Sequence, residues 1–281
     1  MIPAANKNEA LLSEIREHPS PAGQFRLWWL GQSGFPIQYD GQHLLFDPYL
    51  SDSLTKKYAE TDKQHVRMSE LVIEPGKLDF IDLITSSHNH TDHLDAETLR
   101  PLLGACPDAN LLVPRANRAF AADRLKVDEG LLSVINAGEK LTFGHFEIHA
   151  VPAAHETLDQ DAQGNHRYIG LVAKFGDWTV YHSGDTMLFD GMVDILKPFD
   201  IDLTLLPING RKPERRVSGN LWGKEAAQLT KDIGARHVIP CHYDMFTFNT
   251  ETTEEFETTC KDLSLNYTVL KGGQTFSSTQ I

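Results

Sequence analysis

The segment Ser87-His88-Asn89-His90-Thr91-Asp92-His93 places three imidazoles and a carboxylate within six residues, directly behind the apolar run 80–85. Groups of this kind are costly to bury unless something pairs with them. A chain that carries them behind a buried strand is therefore built to deliver them to a site. Imidazole and carboxylate suit zinc, manganese and iron alike. On an extended stretch His88 and His90 point the same way and can grip one ion. A turn toward the helical pattern at 95–104 then lets Asp92 and His93 reach a second.

Further ligands are expected at later strand ends, because loops held by a rigid scaffold carry function. Three segments fit. VPAAH sets His155 behind an apolar run at 145–151, YHSGDT sets Asp185 behind 178–182, and VIPCHYD sets His242 behind 236–240. Each is weak alone, and together they reinforce the 88–93 cluster. Cys241 alternates with His242 on what reads as a strand, so it is expected to face away from a metal. His182 reads as a structural histidine, and His65 and His149 carry no partner signal.

The rest of the chain reads as layered α/β. An amphipathic helix is expected within 1–23, with Leu11, Leu12 and Ile15 on one face. Strand patterns follow at 25–30, 35–39 and 43–46, the last two joined by an Asp40-Gly41 hairpin signal. Strands at 80–85, 111–113, 131–135, 140–151, 167–175, 178–182, 201–206, 236–240, 267–270 and 274–277 alternate with helices near 95–104, 115–126, 189–196, 221–233 and 251–263. No low-complexity linker divides the chain, so one domain over 1–281 is expected, with 1–23 as a helical extension.

Charge and cysteine content narrow the function classes. The formal net charge of −13 disfavours a nucleic acid polymer as partner. Three cysteines in no metal or disulfide pattern, no signal-peptide pattern, and no apolar run near the roughly 20 residues needed to span a bilayer lead to an expected cytoplasmic location. A monomer and a homo-oligomer are equally compatible with these features.

The order Asp, HxHxDH, His, Asp, His, carried here by Asp47, residues 88–93, His155, Asp185 and His242, resembles that of the metallo-β-lactamase superfamily. The segments WWLGQSGFPI, FDPYLSDS, SSHNHTDHLD, VPAAH, YHSGDT and IPCHYDMF are similar to its ascorbate 6-phosphate lactonase-like branch. The resemblance implies a four-layer αββα sandwich with two divalent metal ions at one edge, zinc or manganese, with iron as a third option. It implies that His88, His90 and His155 hold one ion, Asp92, His93 and His242 the other, and that Asp185 bridges them. Asp47 would orient a ligand from behind.

Hydrolysis follows from such a centre, because bound metal lowers the pKa of water toward about 7 and polarises the oxygen it attacks. Asp92, a ligand with a second oxygen, is the candidate catalytic carboxylate that steers the water proton. Asp244 is a candidate for support or proton transfer. The expected substrate is a small, anionic lactone or ester, phosphorylated in the fullest form of the resemblance. Phosphodiester hydrolysis of a small nucleotide or phospholipid head group is the alternative. An oxygen-reducing di-iron protein is disfavoured by His90, where such proteins usually carry glutamate. A non-catalytic binding module is disfavoured because no ligand is missing. Arg211, Arg215 and Arg216 follow a strand end in an acidic protein, and are read either as a clamp for a remote anion or as a solvated loop.

Overall fold

The computed structural model describes residues 1–281. Two seven-stranded sheets face one another. The first contains β1 (Phe25–Trp28), β2 (Phe35–Tyr39), β3 (Gln42–Phe46), β4 (Leu83–Thr85), β5 (Asn110–Pro114) and β6 (Leu132–Ile135). The second contains β7 (Lys140–Phe143), β8 (Phe146–Pro152), β9 (Ile169–Phe175), β10 (Trp178–His182), β11 (Leu203–Pro207), β12 (His237–Cys241) and β13 (Asn266–Tyr267). The last strand, β14 (Thr275–Ser277), returns to the first sheet beside β1. In each sheet an antiparallel meander gives way to parallel strands, from β4 onward in the first and from β11 onward in the second.

Neighbouring side chains on a strand point to opposite faces. Strands covered on both faces should therefore read as unbroken apolar runs. In β3, Leu44 and Phe46 enter a 42-residue core between the sheets, while Leu45 turns into a 22-residue cluster on the outside. Leu83 and Ile84 of β4, and Leu112 and Val113 of β5, divide the same way. That outer cluster is covered by α1 (Asn8–Glu17), α3 (Ala96–Ala105) and α4 (Arg118–Leu125), which contribute Leu11, Ile15, Leu99, Leu102 and Leu125. On the second sheet, α5 (Met192–Leu196), α6 (Gly223–Ile233) and α7 (Glu254–Asp262) extend the larger core through Leu196, Leu229 and Phe256. The result is the αββα sandwich. A short α2 (Ser53–Lys57) lies outside these layers, and no helix is long and apolar enough to cross a membrane.

The Asp40-Gly41 turn joins β2 to β3 with both residues at positive φ, 45° and 79°. That is the geometry which makes Asp-Gly a hairpin signal. One expectation needs correcting. Residues 140–151 do not form one strand: Gly144, at φ 54°, folds them into the antiparallel pair β7 and β8.

Candidate metal centre

The site lies where strands of both sheets end. β4 stops at Thr85, and the chain from Ser87 to Leu94 runs as bends and a turn, not as the extended stretch expected from the spacing. His93 N and Leu94 N both donate to the His90 carbonyl, at 3.2 and 2.8 Å. This turn, rather than strand alternation, gathers the four polar side chains. From the second sheet, β8 leads to His155, β10 to Asp185 and β12 to His242. His242 sits at φ 61° with its N–H bonded to the Gln32 carbonyl at 3.0 Å.

Two groups of ligating atoms result, each within a 4.8 Å span: His88, His90, His155 and Asp185 in one, and Asp92, His93, Asp185 and His242 in the other. Asp185 belongs to both. All seven ligand candidates are thereby brought together. His88 Nε2, His93 Nε2 and Asp185 Oδ1 are buried without a hydrogen-bond partner. His93 Nε2 and Asp185 Oδ1 lie 3.2 Å apart and out of line for a hydrogen bond. Buried polar atoms are almost always paired, so three convergent orphans mark a place built for a cation. The nitrogen and carboxylate donors fit zinc, manganese or iron.

The other imidazole nitrogens are held from behind. His93 Nδ1 donates to Asp47 Oδ2 at 2.7 Å, and His155 Nδ1 to the Gly219 carbonyl at 2.8 Å. His88 Nδ1 lies 3.0 Å from Ser87 Oγ. With Nδ1 as the donor, His93 and His155 in their neutral form would present the Nε2 lone pair to the centre. Asp47 is fully buried and also accepts from Ser87 N at 3.0 Å, from Thr85 Oγ1 at 3.2 Å and from Ser87 Oγ. It therefore ties the 86–93 turn to the end of β3. A third grouping, of Asp47 with His88 and His93, follows from this hydrogen bonding, which occupies the carboxylate.

The charges of the two halves differ. Burial lowers His88 and His155 and brings His90 down to about 4, so these imidazoles are neutral at pH 7. At His242 burial acts in the same direction, yet Asp185 and Asp92 outweigh it and raise the group to about 9. His93 is likewise raised. Against burial, His93 and His242 hold the Asp92 and Asp185 carboxyls well below the usual carboxylate range. Asp92 and Asp185 thus stay ionised and attract cations.

A cavity of about 280 Å³ opens over the centre. Its lining includes Gln32, a residue sequence reasoning missed. Gln32 Nε2 donates to Asp92 Oδ2 at 2.7 Å and lies 2.9 Å from His242 Nε2. The signal was the GQSG turn between β1 and β2, where Gln32 takes φ 49°. His65, Tyr58, Phe246 and Phe248 form an aromatic part of the same lining. No pattern in the sequence joins them.

Arg211, Arg215 and Arg216 are not brought to the cavity. Arg211 pairs with both oxygens of Glu225 at 2.6 and 2.8 Å, Arg215 with Glu251, and Arg216 with Asp62. The loop's charges are spent on neighbouring carboxylates, and the cations lining the cavity are Lys57 and Arg124. Arg124 is itself committed, donating to the carbonyls of Asn89 at 2.7 Å and Leu94 at 3.3 Å, so it braces the ligand turn. Asp244 is also not brought to the ligands. It lines a separate cavity of about 140 Å³ beside Trp29 and Tyr243. Cys241 turns into the core, and His182 stacks on Phe46 at 4.9 Å with Nε2 donating to the Ser33 carbonyl.

Comparison with known proteins agrees with this geometry. The model of the beta-lactamase superfamily domain matches residues 42–243. A metal-dependent hydrolase of the UPF0173 group from Rubrobacter xylanophilus is 29% identical over 267 residues, covering 91% of this chain and 98% of its own. Among solved structures, the metallo hydrolase Igni18 from Ignicoccus hospitalis superposes with a TM-score of 0.63 at 22% identity, over 90% of this chain and 98% of that one. A possible metal-dependent hydrolase from Veillonella parvula reaches 0.69 at 16% identity, over 89% and 98%. These two likenesses speak for the fold, and with the family match they place the chain in the metallo-β-lactamase superfamily of metal-dependent hydrolases.

Proposed function

We propose that the protein hydrolyses a small lactone or ester in the 280 Å³ cavity, with two divalent cations held by the two groups that share Asp185. That sharing is the observation that carries the reading, because a carboxylate common to both donor groups could serve both ions. Divalent cations held there supply Lewis acidity, which makes water nucleophilic at neutral pH and polarises an acyl oxygen. The chain supplies the positioning. Asp47 and the Gly219 carbonyl fix the imidazole tautomers, and the Gln32 amide holds Asp92 Oδ2. Asp92 Oδ1 makes none of these contacts and is the oxygen available to orient the attacking water. As a carboxylate Asp92 has only acceptor oxygens, so it would orient the water by accepting its hydrogen bond.

The lining favours an uncharged or singly charged substrate over a doubly charged phosphate monoester. Beyond the centre its cations are Arg124, which donates to backbone carbonyls, and Lys57, which reaches Thr91 Oγ1 at 3.4 Å and pairs with no carboxylate. The test is turnover by purified protein supplied with manganese or zinc, on a panel of lactones, phosphodiesters and phosphate monoesters. Lactone hydrolysis is expected, with Asp92→Ala and His155→Ala lowering it by at least about a hundredfold, since even groups behind a ligand are worth about 10–100-fold. Phosphodiester turnover without lactone turnover would overturn the lactonase reading and leave the metal centre standing.

A further inference from the structure

His65 lies in the cavity lining yet belongs to neither ligand group. Its ring is enclosed: it stacks on Tyr58 at 4.6 Å and 27°, meets Phe246 edge-on at 5.2 Å, and tilts against Phe248 at 5.0 Å. The side chain's orientation is set by a carbonyl. Nδ1 is 2.7 Å from the Lys63 oxygen, which can only accept, so Nδ1 carries the proton and Nε2 the lone pair. Nε2 makes no hydrogen bond within the protein and is reachable from the cavity, so its lone pair is open to a ligand.

The backbone around His65 is registered to the metal centre. Thr55 Oγ1 donates to the His65 carbonyl at 2.6 Å. Thr247 N donates to the Val66 carbonyl at 2.9 Å, and Met68 N to the Met245 carbonyl at 2.8 Å. Residues 66–68 thus run as a short ladder against 245–247, a few residues beyond His242. A wall so tethered keeps its distance from the ligands, and a substrate contact requires that.

We propose that His65 is a substrate-binding residue, its Nε2 accepting a hydrogen bond from a hydroxyl or N–H group of the substrate while Tyr58, Phe246 and Phe248 receive the substrate's apolar face. This rests on the lactone or ester reading and narrows it to small lactones and esters with a hydrogen-bond donor near the acyl group. A merely structural aromatic at this position would need no fixed tautomer that leaves an acceptor open to the cavity. Burial holds the imidazole below its usual range, so the acceptor stays unprotonated at neutral pH.

The test compares α-hydroxy-γ-butyrolactone with γ-butyrolactone on wild-type protein and on His65→Phe, which keeps a ring in the aromatic cage and removes the acceptor. The variant is expected to lose about tenfold or more in kcat/KM on the hydroxylated lactone, mainly through KM, and to change little on the unsubstituted one. Binding is read separately by the ¹⁵N resonance of His65 Nε2, which should shift upfield with the hydroxylated lactone only. Equal loss on both lactones, loss on neither, or an unmoved Nε2 resonance under saturating hydroxylated lactone overturns the assignment. If neither lactone is hydrolysed, the lactonase reading fails on its own. The same variant is then scored on a donor-bearing and a donor-lacking member of whichever ester class is turned over, with the same criteria.

Discussion

Asp47 accepts four hydrogen bonds while touching no substrate, and its fate shows how a single carboxylate governs the centre. Replacing it with Asn removes the charge opposite His93 Nδ1–H and offers one acceptor oxygen in place of two. Asp47→Asn is expected to weaken metal binding by about 10–100-fold, measured by competition with a chromogenic chelator. Unchanged affinity would reduce Asp47 to a brace for the Ser87 turn. At this scale the sequence was legible where residue type and spacing coincide, as in His88, His90, Asp92 and His93. Gln32 and His65 were not legible. Each is one polar residue whose role depends on partners far away in the chain, Asp92 for one and Phe246 and Phe248 for the other.

Elements were readable through burial. Strands such as β3 and β4 bury both faces, so their apolar runs stand out, whereas the β7–β8 hairpin merged into one run because β7 is mostly exposed and its turn rests on Gly144 alone. The element ends, where the backbone leaves regular structure, carry the constraint that pattern reading misses. Gly184 links β10 to Asp185 at φ 59°, and a Cβ there would sit 2.6 Å from the Ser87 side chain. Gly184→Ala is expected to cost about 1–3 kcal/mol and to lower metal content, read by thermal unfolding and elemental analysis. β12 adds a pH effect of its own. Burial lowers His237 on that strand to about 4 from 6.5, while its Nε2 contacts Thr268 Oγ1 at 2.9 Å. A lowered histidine favours the folded state fully above the unfolded value of 6.5, and that stability is lost as pH falls from there through about 4. Unfolding followed against pH should show a shallower acid limb for His237→Phe than for wild type. Parallel limbs would mean that other groups dominate acid unfolding.

The whole molecule is joined at the centre. His88, His90, Asp92 and His93 follow a strand of the first sheet, and His155, Asp185 and His242 follow strands of the second. A cation binds the folded arrangement and not the separated halves, so it stabilises by linkage, by about 2.7 kcal/mol at a hundredfold excess over Kd. Removing metal with a chelator is expected to lower Tm by several degrees, restored by adding zinc or manganese. A Tm indifferent to both treatments would contradict a metal centre shared between the sheets. A layered α/β chain was open to sequence reasoning because apolar strand and helix patterns alternate, and the αββα sandwich followed from the resemblance that the motif order carries. The mouth of the cavity was not open to it, because it is made by loops. The residues there come from several stretches, among them 53–67, 211–218 and 245–249. Leu54, Lys57, Tyr58 and His65 come from 53–67, which supplies none of the seven candidate ligands, and that stretch is tied across to the 211–218 loop by Arg216 with Asp62 and by Lys63 Nζ on the Arg216 carbonyl. Because 53–67 carries part of this mouth and none of the seven ligand candidates, rewriting it while keeping its pairing with 245–247 is expected to change which molecules gain entry and to leave the ligands in place.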